Sequence, residues 1–170
     1  VQDILNILQE IAAEDLAEAW DNVGLLIGSP RNRTTSILIA LDPTIDLLAQ
    51  ARNLDAELII THHPAIFHPL KSLRTDQTVG NFIRSALQAD INVIGCHTKL
   101  DATNGGVNDG LAQALGLIHT KPLFAAKSSD TGCGQGGIGN LKTPANTDTF
   151  ITAIHKALSP PWLLEAGPRP

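Results

Sequence analysis

Two adjacent histidines, His62 and His63, follow the apolar run 58–60 and directly precede Pro64. The run is rich in β-branched residues, which predicts a strand buried on both faces, and the proline favours an extended residue before it. Imidazole nitrogens are common transition-metal ligands. Because successive residues of an extended chain point to opposite sides, we expect each histidine to serve one ion of a metal pair. The alternative is that one histidine is a ligand or hydrogen-bond partner and the other lies on the surface.

Two other predicted strands end in residues of similar chemistry. The run 37–41 ends at Asp42, and the run 91–96 ends at His97, with Asp101 four residues further on in a predicted loop. In a parallel sheet with right-handed crossovers these ends share one edge, where open α/β sheets place their sites. We expect His97 or Asp101 to bind metal while the other orients a ligand or water. Asp42 is the weakest candidate, because capping the next helix would account for it.

The other histidines and the two cysteines have simpler explanations. Cys96 lies in a predicted buried strand and is expected to be a small core residue. Cys133 lies in the glycine-rich run 132–139, which lacks the Lys-Ser/Thr of a phosphate-binding loop, and no nearby base supports a nucleophile. Surface positions are expected for the histidines that remain, although the first could line the site: His68, His119 and His155.

Strands separated by about one helix length predict parallel βαβ units, and hence an α/β fold with a largely parallel sheet. Asp21 and Asn22 are interpreted as turn residues, with Trp20 filling the edge of the core. A loop or bent strand is expected over 125–146. Helices are expected at 1–13, 43–54, 77–89, 107–115 and 148–158, and strands at 37–41, 58–61, 91–96 and 117–124. The run 20–28 is expected to be a bend that enters a short strand.

Composition excludes several classes of function. The chain has 170 residues, of which 43% are hydrophobic and only 17% charged, so part of its surface is expected to be covered by other protein. The net charge of −5, without a long basic run, disfavours nucleic acid as a partner. No apolar segment is long enough to span a membrane. Two cysteines without a framework spacing favour a reducing cytoplasm.

Four motifs together resemble the Ngg-interacting-factor-3-like family, whose bacterial members are commonly named GTP cyclohydrolase I type 2 homologues. They are Trp-Asp-Asn-Val-Gly-Leu at 20–25, Thr-His-His-Pro at 61–64, His-Thr-Lys-Leu-Asp at 97–101 and Gly-Gly-Val-Asn at 105–108. The resemblance covers nearly all of the chain. It implies a three-layer α/β/α fold with duplicated lobes, a dinuclear metal site and toroidal homohexamers.

Carried over by position, the resemblance assigns His62, His63 and Asp101 as metal ligands and places His97 beside the site as the candidate catalytic residue. The cofactors implied are two divalent transition-metal ions, and zinc, iron, manganese and nickel all remain open. Lys99 stands where family members often have Asn or Pro. That difference could alter the charge at the mouth of the site.

The chain departs from the family pattern in its second half. The family completes its site with a His-x-x-x-Glu motif in a second lobe, and this sequence has no such motif. We therefore expect mainly the first lobe, a metal-site lobe over 1–158, followed by a proline-rich linker or tail over 159–170. Either the sequence is a fragment of a longer protein or it is a natural short form with an incomplete site.

Two functions follow from these expectations. The first is a dinuclear metal-dependent hydrolase of a nucleotide or related small molecule, GTP cyclohydrolase-like by resemblance, with His97 moving a proton. The alternative is a non-catalytic metal-binding scaffold or regulatory protein that forms ring oligomers. Metal-dependent turnover of a nucleotide would distinguish them. Whether the chain is an enzyme stays open at this point.

Overall fold

A computed structural model of the chain describes residues 1–126 and 132–167, which form two compact units. The first unit is Val1–Thr103, and the second begins at Asn104. The predicted division into 1–158 and 159–170 stays a prediction. Two stretches lie outside the described residues. They are residues 168–170 of the predicted tail and residues 127–131 of the loop or bent strand predicted over 125–146.

The first unit is built on a four-stranded sheet in the order β1-β4-β3-β2. β2, β3 and β4 are parallel and β1 is antiparallel to β4, which confirms the predicted largely parallel sheet. In the register, Ala40 pairs with Thr61 and Thr61 with Gly95, so the three parallel strands end level with one another. The strands are β1 Gly24–Ile27, β2 Ile37–Ala40, β3 Leu58–Thr61 and β4 Asn92–Gly95.

Helices cover both faces of this sheet. β3 and β4 are buried on both faces, and Leu58, Ile59, Val93 and Ile94 have no exposed surface. Burial of such side chains contributes about 1.5–3 kcal/mol each. Ile59 and Val93 pack in one core with α2 and α3, whereas Leu58 and Ile94 pack in a second core with α1 and α4. The result is a three-layer α/β/α arrangement with helices α1 Gln2–Ile11, α2 Ile45–Asn53, α3 Thr78–Gln88 and α4 His97–Ala102.

The amino end of β4 is held by one buried amide, Asn92. Its Oδ1 accepts hydrogen bonds from Ser29 N and Asn32 Nδ2, each at 3.0 Å, and its Nδ2 donates to Glu57 O at 3.1 Å. Gly28 is required beside it, because a Cβ there would lie 2.1 Å from Asn92 Oδ1 and its φ is +105°. These contacts join two loops to the start of β4, at the end of the sheet opposite the histidines.

Two helix starts differ from the predictions. Thr44, not Asp42, caps α2, because its side chain accepts a hydrogen bond from Leu47 N at 3.1 Å. Asp42 is therefore available for another contact. The residues from His97 to Ala102, predicted as a strand end and loop, form the short helix α4.

In its described residues, the second unit contains two small antiparallel sheets and two helices. The predicted helices at 107–115 and 148–158 are confirmed as α5 Val107–Ala114 and α6 Thr147–Leu158. The edge strand expected over 117–124 is shorter, β5 Leu117–Lys121, and it pairs with β8 Ile138–Leu141. A second pair joins β6 Phe124–Ala125 to β7 Gly134–Gln135. None of the helices in the described ranges is long and apolar enough to cross a membrane.

Candidate metal centre

Three imidazole rings meet at the carboxyl edge of the parallel strands. The ring centroids of His62 and His63 are 5.0 Å apart, and the ring of His97 lies 5.6 Å from the first and 5.8 Å from the second. Asp101 joins this group, because its Oδ1 lies 3.6 Å from His62 Nε2. The structure thus brings together the residues that the sequence singled out.

The ladder of the sheet continues beyond the strands and fixes the backbone of the histidines. His62 N donates to Ala40 O at 3.2 Å, and His63 N donates to Leu41 O at 3.0 Å. The chain bends at these two residues. The bend lets the two rings contact each other, whereas a fully extended chain would direct them to opposite sides, as expected from the sequence.

Asp42 contacts the second histidine of the pair. Its Oδ1 lies 2.6 Å from His63 Nδ1. This contact engages Nδ1 of the ring and leaves Nε2 directed away from Asp42. Asp42 therefore acts on the site by orienting His63, and its predicted capping role is wrong.

A second carboxylate, Asp21, holds His97. Asp21 Oδ1 lies 2.7 Å from His97 Nδ1, and Asp21 Oδ2 accepts hydrogen bonds from Thr98 Oγ1 and, at 3.1 Å, from Thr98 N. Burial by itself would raise the pKa of Asp21, but the hydrogen bonds from Thr98 and His97 outweigh it and lower that pKa. Asp21 is thus an ionised acceptor and not a simple turn residue.

Helix α4 sets the spacing of the remaining groups. His97 and Asp101 are four residues apart on this helix and so share one of its faces. His97 N donates to His62 O at 2.8 Å, which places the start of the helix against the end of β3. The φ of His97 is +36°, a conformation uncommon outside glycine and often found at functional sites.

His62 is held in the protonation state that a metal needs. Burial lowers the pKa of its imidazole, and repulsion from His63 and His97 adds to this effect, while the charge of Asp101 opposes it. The neutral imidazole is the form that binds metal ions.

Aromatic side chains flank the histidines on one side. Trp20 and Phe67 meet edge to face at 5.9 Å between centroids, and their rings lie 6.1 and 5.8 Å from that of His97. Trp20 is 59% exposed, so the prediction that it fills the core edge is wrong. Asn22 fixes this corner, because its Nδ2 donates to Ile66 O at 2.6 Å. The cluster therefore has an exposed aromatic border.

The donor chemistry fits a transition metal, since imidazole nitrogen and carboxylate oxygen suit zinc and its neighbours. Within 1–126 and 132–167, however, no three His, Cys, Asp or Glu side chains stand where they could together hold one ion. Two of the three rings already pair through Nδ1 with a carboxylate. The assignment of His62, His63 and Asp101 as metal ligands stays a prediction.

The other residues considered from the sequence lie apart from this cluster. His68 is exposed and its ring contacts Phe67 at 4.5 Å. His119 and His155 are exposed, as predicted. Cys96 is buried in the core, also as predicted, and burial raises the pKa of its thiol. Sequence reasoning missed Asp21, although it stands in one of the motifs that carried the family resemblance.

The fold and the cluster define an α/β protein with a histidine–carboxylate site at the carboxyl edge of a parallel sheet. Residues 1–167 match the family model described as Duf34/NIF3 (NGG1p interacting factor 3), and the chain belongs to this family.

Curated relatives carry the name GTP cyclohydrolase 1 type 2 homolog. The protein of that name from Clostridium perfringens is 37% identical over 168 residues, which cover 98% of this chain and 63% of the relative. The one from Halalkalibacterium halodurans is 42% identical over 122 residues, covering 72% of this chain and 33% of the relative. The chain thus spans less than two thirds of the length of these relatives.

Solved structures confirm the fold. A hypothetical protein of Staphylococcus aureus superposes with a TM-score of 0.83 at 29% identity, over 94% of this chain and 64% of that one. A Bacillus cereus protein related to NIF3 gives a TM-score of 0.69 at 40% identity, over 72% and 34% of the two chains. Reduced HcgD from Methanocaldococcus jannaschii gives a TM-score of 0.77 at 27% identity, over 91% of this chain and 58% of that one.

Proposed function

We propose that the protein is a metal-dependent hydrolase of a nucleotide or a related small molecule. The observation that carries the proposal is the meeting of three imidazoles and Asp101 at one sheet edge, with ring centroids 5.0–5.8 Å apart. The relatives named GTP cyclohydrolase 1 type 2 homolog support the reaction class.

In this proposal His62, His63 and Asp101 are the ligands that the chain contributes to two divalent ions of zinc, iron, manganese or nickel. A bound ion of this kind lowers the pKa of its water and so supplies a nucleophile at neutral pH. Asp42 keeps the Nε2 lone pair of His63 free for binding. Ligand partners of this type are common around metal-binding histidines.

The remaining groups of the site handle the proton and the substrate. His97 receives or returns a proton as the general acid–base, a role that suits an imidazole near neutral pH. The exposed face of Trp20 offers a surface on which a nucleobase can stack. In this proposal the histidines carry out the reaction, and the aromatic border binds the substrate.

A metal-binding scaffold or regulatory protein is the second candidate. The family description, an interacting factor, favours it, because it names an association and no reaction. So does the incomplete donor set in the described ranges.

The test combines metal analysis with turnover. We expect about two equivalents of transition metal in the natively purified protein, together with metal-dependent hydrolysis of at least one member of a nucleotide panel. His63→Ala should abolish both, and the control His155→Ala, at an exposed position of α6, should change neither. Metal binding without turnover would favour the scaffold, and the absence of both would overturn each proposal.

We infer also that the protein forms homo-oligomers, a hexameric ring by family resemblance, in a reducing compartment such as the cytoplasm. Both cysteines are free thiols, which agrees with that compartment. Sedimentation should give the mass of six chains of 18.0 kDa each, and a mass equal to one chain would contradict the oligomer.

A further inference from the structure

We propose that Asp21 is a positioning residue that selects the tautomer of His97. It holds the proton on Nδ1 and so leaves the Nε2 lone pair available to a substrate or a metal. The value of this lone pair for catalysis rests on the proposed function, but the tautomer itself does not.

The contacts of Asp21 carry the argument. Its side chain is 0% exposed, so its oxygens must find their partners within the protein. One oxygen lies 2.7 Å from His97 Nδ1, and an ionised carboxylate can only accept there. His97 must therefore donate through Nδ1.

Backbone N–H groups hold both oxygens of the Asp21 carboxylate. Asn22 N donates to Oδ1, the oxygen that faces His97, at 2.7 Å, and Thr98 N and Oγ1 both donate to Oδ2. An amide NH₂ in either position would face a backbone N–H, so Asp21→Asn does not select one tautomer. Asp21→Ala removes the acceptor, and with it the group that holds the His97 proton on Nδ1.

The backbone geometry of His97 limits where its ring can lie. His97 N donates to His62 O at 2.8 Å, and the φ of +36° sets the direction from which its side chain leaves the backbone. The carboxylate that acts on His63 differs in this respect. Asp42 is 56% exposed, so in Asp42→Asn the amide can turn and still accept from His63 Nδ1. Asp42→Asn therefore removes a carboxylate from the same cluster but keeps an acceptor for His63 Nδ1, and it serves as the control.

The test is the tautomer of each histidine, read from ¹⁵N shifts in long-range ¹H–¹⁵N spectra of the full chain treated with chelator. The signals of His97 are assigned by their loss in His97→Gln. We expect Nδ1–H for His97 in the wild type, a population of Nε2–H in Asp21→Ala, and unchanged Nδ1–H for His63 in Asp42→Asn. Nε2–H in the wild type would overturn the proposal without any variant, and so would an unchanged tautomer in a folded Asp21→Ala protein.

Enzyme kinetics test separately whether the tautomer of His97 matters for catalysis. If the tautomer serves catalysis, Asp21→Ala should lower kcat by about 100-fold or more with KM changed less than about threefold. A changed tautomer with unchanged kcat would overturn the catalytic role and leave the proposed hydrolase standing. A wild type without turnover would defeat the proposed hydrolase, while the tautomer result would still decide the role of Asp21 as a positioning residue.

Discussion

At the scale of single residues, three histidines of one cluster have different surroundings. His63 pairs with an exposed carboxylate, His97 with a buried one, and His62 lies near Asp101 at a distance longer than a hydrogen bond. Surroundings of this kind decide which nitrogen each ring can offer. The three imidazoles are therefore not interchangeable.

Replacing Asp42 should weaken metal binding strongly and change the stability of the fold only slightly. Exposed ion pairs contribute about 0.2–1 kcal/mol, so Asp42→Ala should lower the free energy of unfolding by less than about 1 kcal/mol. Loss of a residue that orients a ligand should weaken metal binding about 10–100-fold. Metal titration and denaturant unfolding measure the two effects. Asp3→Ala, at an exposed acid of α1, is the control, and an equal loss of affinity there would contradict the role of Asp42.

Replacing Trp20 should weaken substrate binding. Stacking on an aromatic ring is worth about 0.5–1.5 kcal/mol, so Trp20→Ala should raise KM for a hydrolysed nucleotide about 2–12-fold. Trp162→Ala is the control, because Trp162 is 70% exposed and lies outside the first unit. Equal effects of the two substitutions on steady-state kinetics would refute a stacking surface at Trp20.

At the scale of elements, the strands could be predicted from the sequence, and the starts of the helices could be predicted less well. The buried runs ending at Thr61 and Cys96 predict parallel strands because they are apolar on both faces. Asp42 and Thr44 both suit a helix cap, and only tertiary structure shows that Asp42 turns towards His63. The contact of Asp21 with His97 spans 76 residues, and no local pattern encodes such a distance.

The buried amide at the amino end of β4 should be important for stability. Asn92→Ala leaves two partly buried donors, Ser29 N and Asn32 Nδ2, without their acceptor, while Glu57 O keeps its hydrogen bond from the backbone N of residue 92. The cost is about 1–3 kcal/mol for each donor that stays unsatisfied. We expect the free energy of unfolding to fall by about 2–4 kcal/mol in denaturant titrations. Asn53→Ala, at an exposed position of α2, should stay within about 0.5 kcal/mol. A similar small change for Asn92→Ala would show that water replaces the amide.

At the scale of the whole molecule, one sheet separates two cores in the first unit. Each core takes alternate residues of β3 and β4, so neither core can loosen without disturbing the strands that carry the histidines. The second unit has its own small sheets. The family match, in contrast, runs across both units.

The thiol of Cys96 should report on the integrity of its core. Thiolate is the reactive form, and burial raises the pKa of Cys96, so the thiolate fraction at pH 8.5 is smaller than for a free cysteine. In a Cys133→Ser background, we expect labelling by a thiol reagent to be at least 100-fold slower in the native chain than in the unfolded chain. Raising the pH from 7 to 8.5 should not remove this protection. Rapid native labelling would contradict the packing of this core.

The hydrogen bonds from His62 N to Ala40 O and from His97 N to His62 O extend the central sheet beyond its strands. Amides of core strands exchange with solvent only when the surrounding cooperative unit opens. We therefore expect the amides of His62 and His97 to exchange with the core strands and not with a loop that frays independently. A ligand would then bind to a preformed site, and its association would require no prior local unfolding.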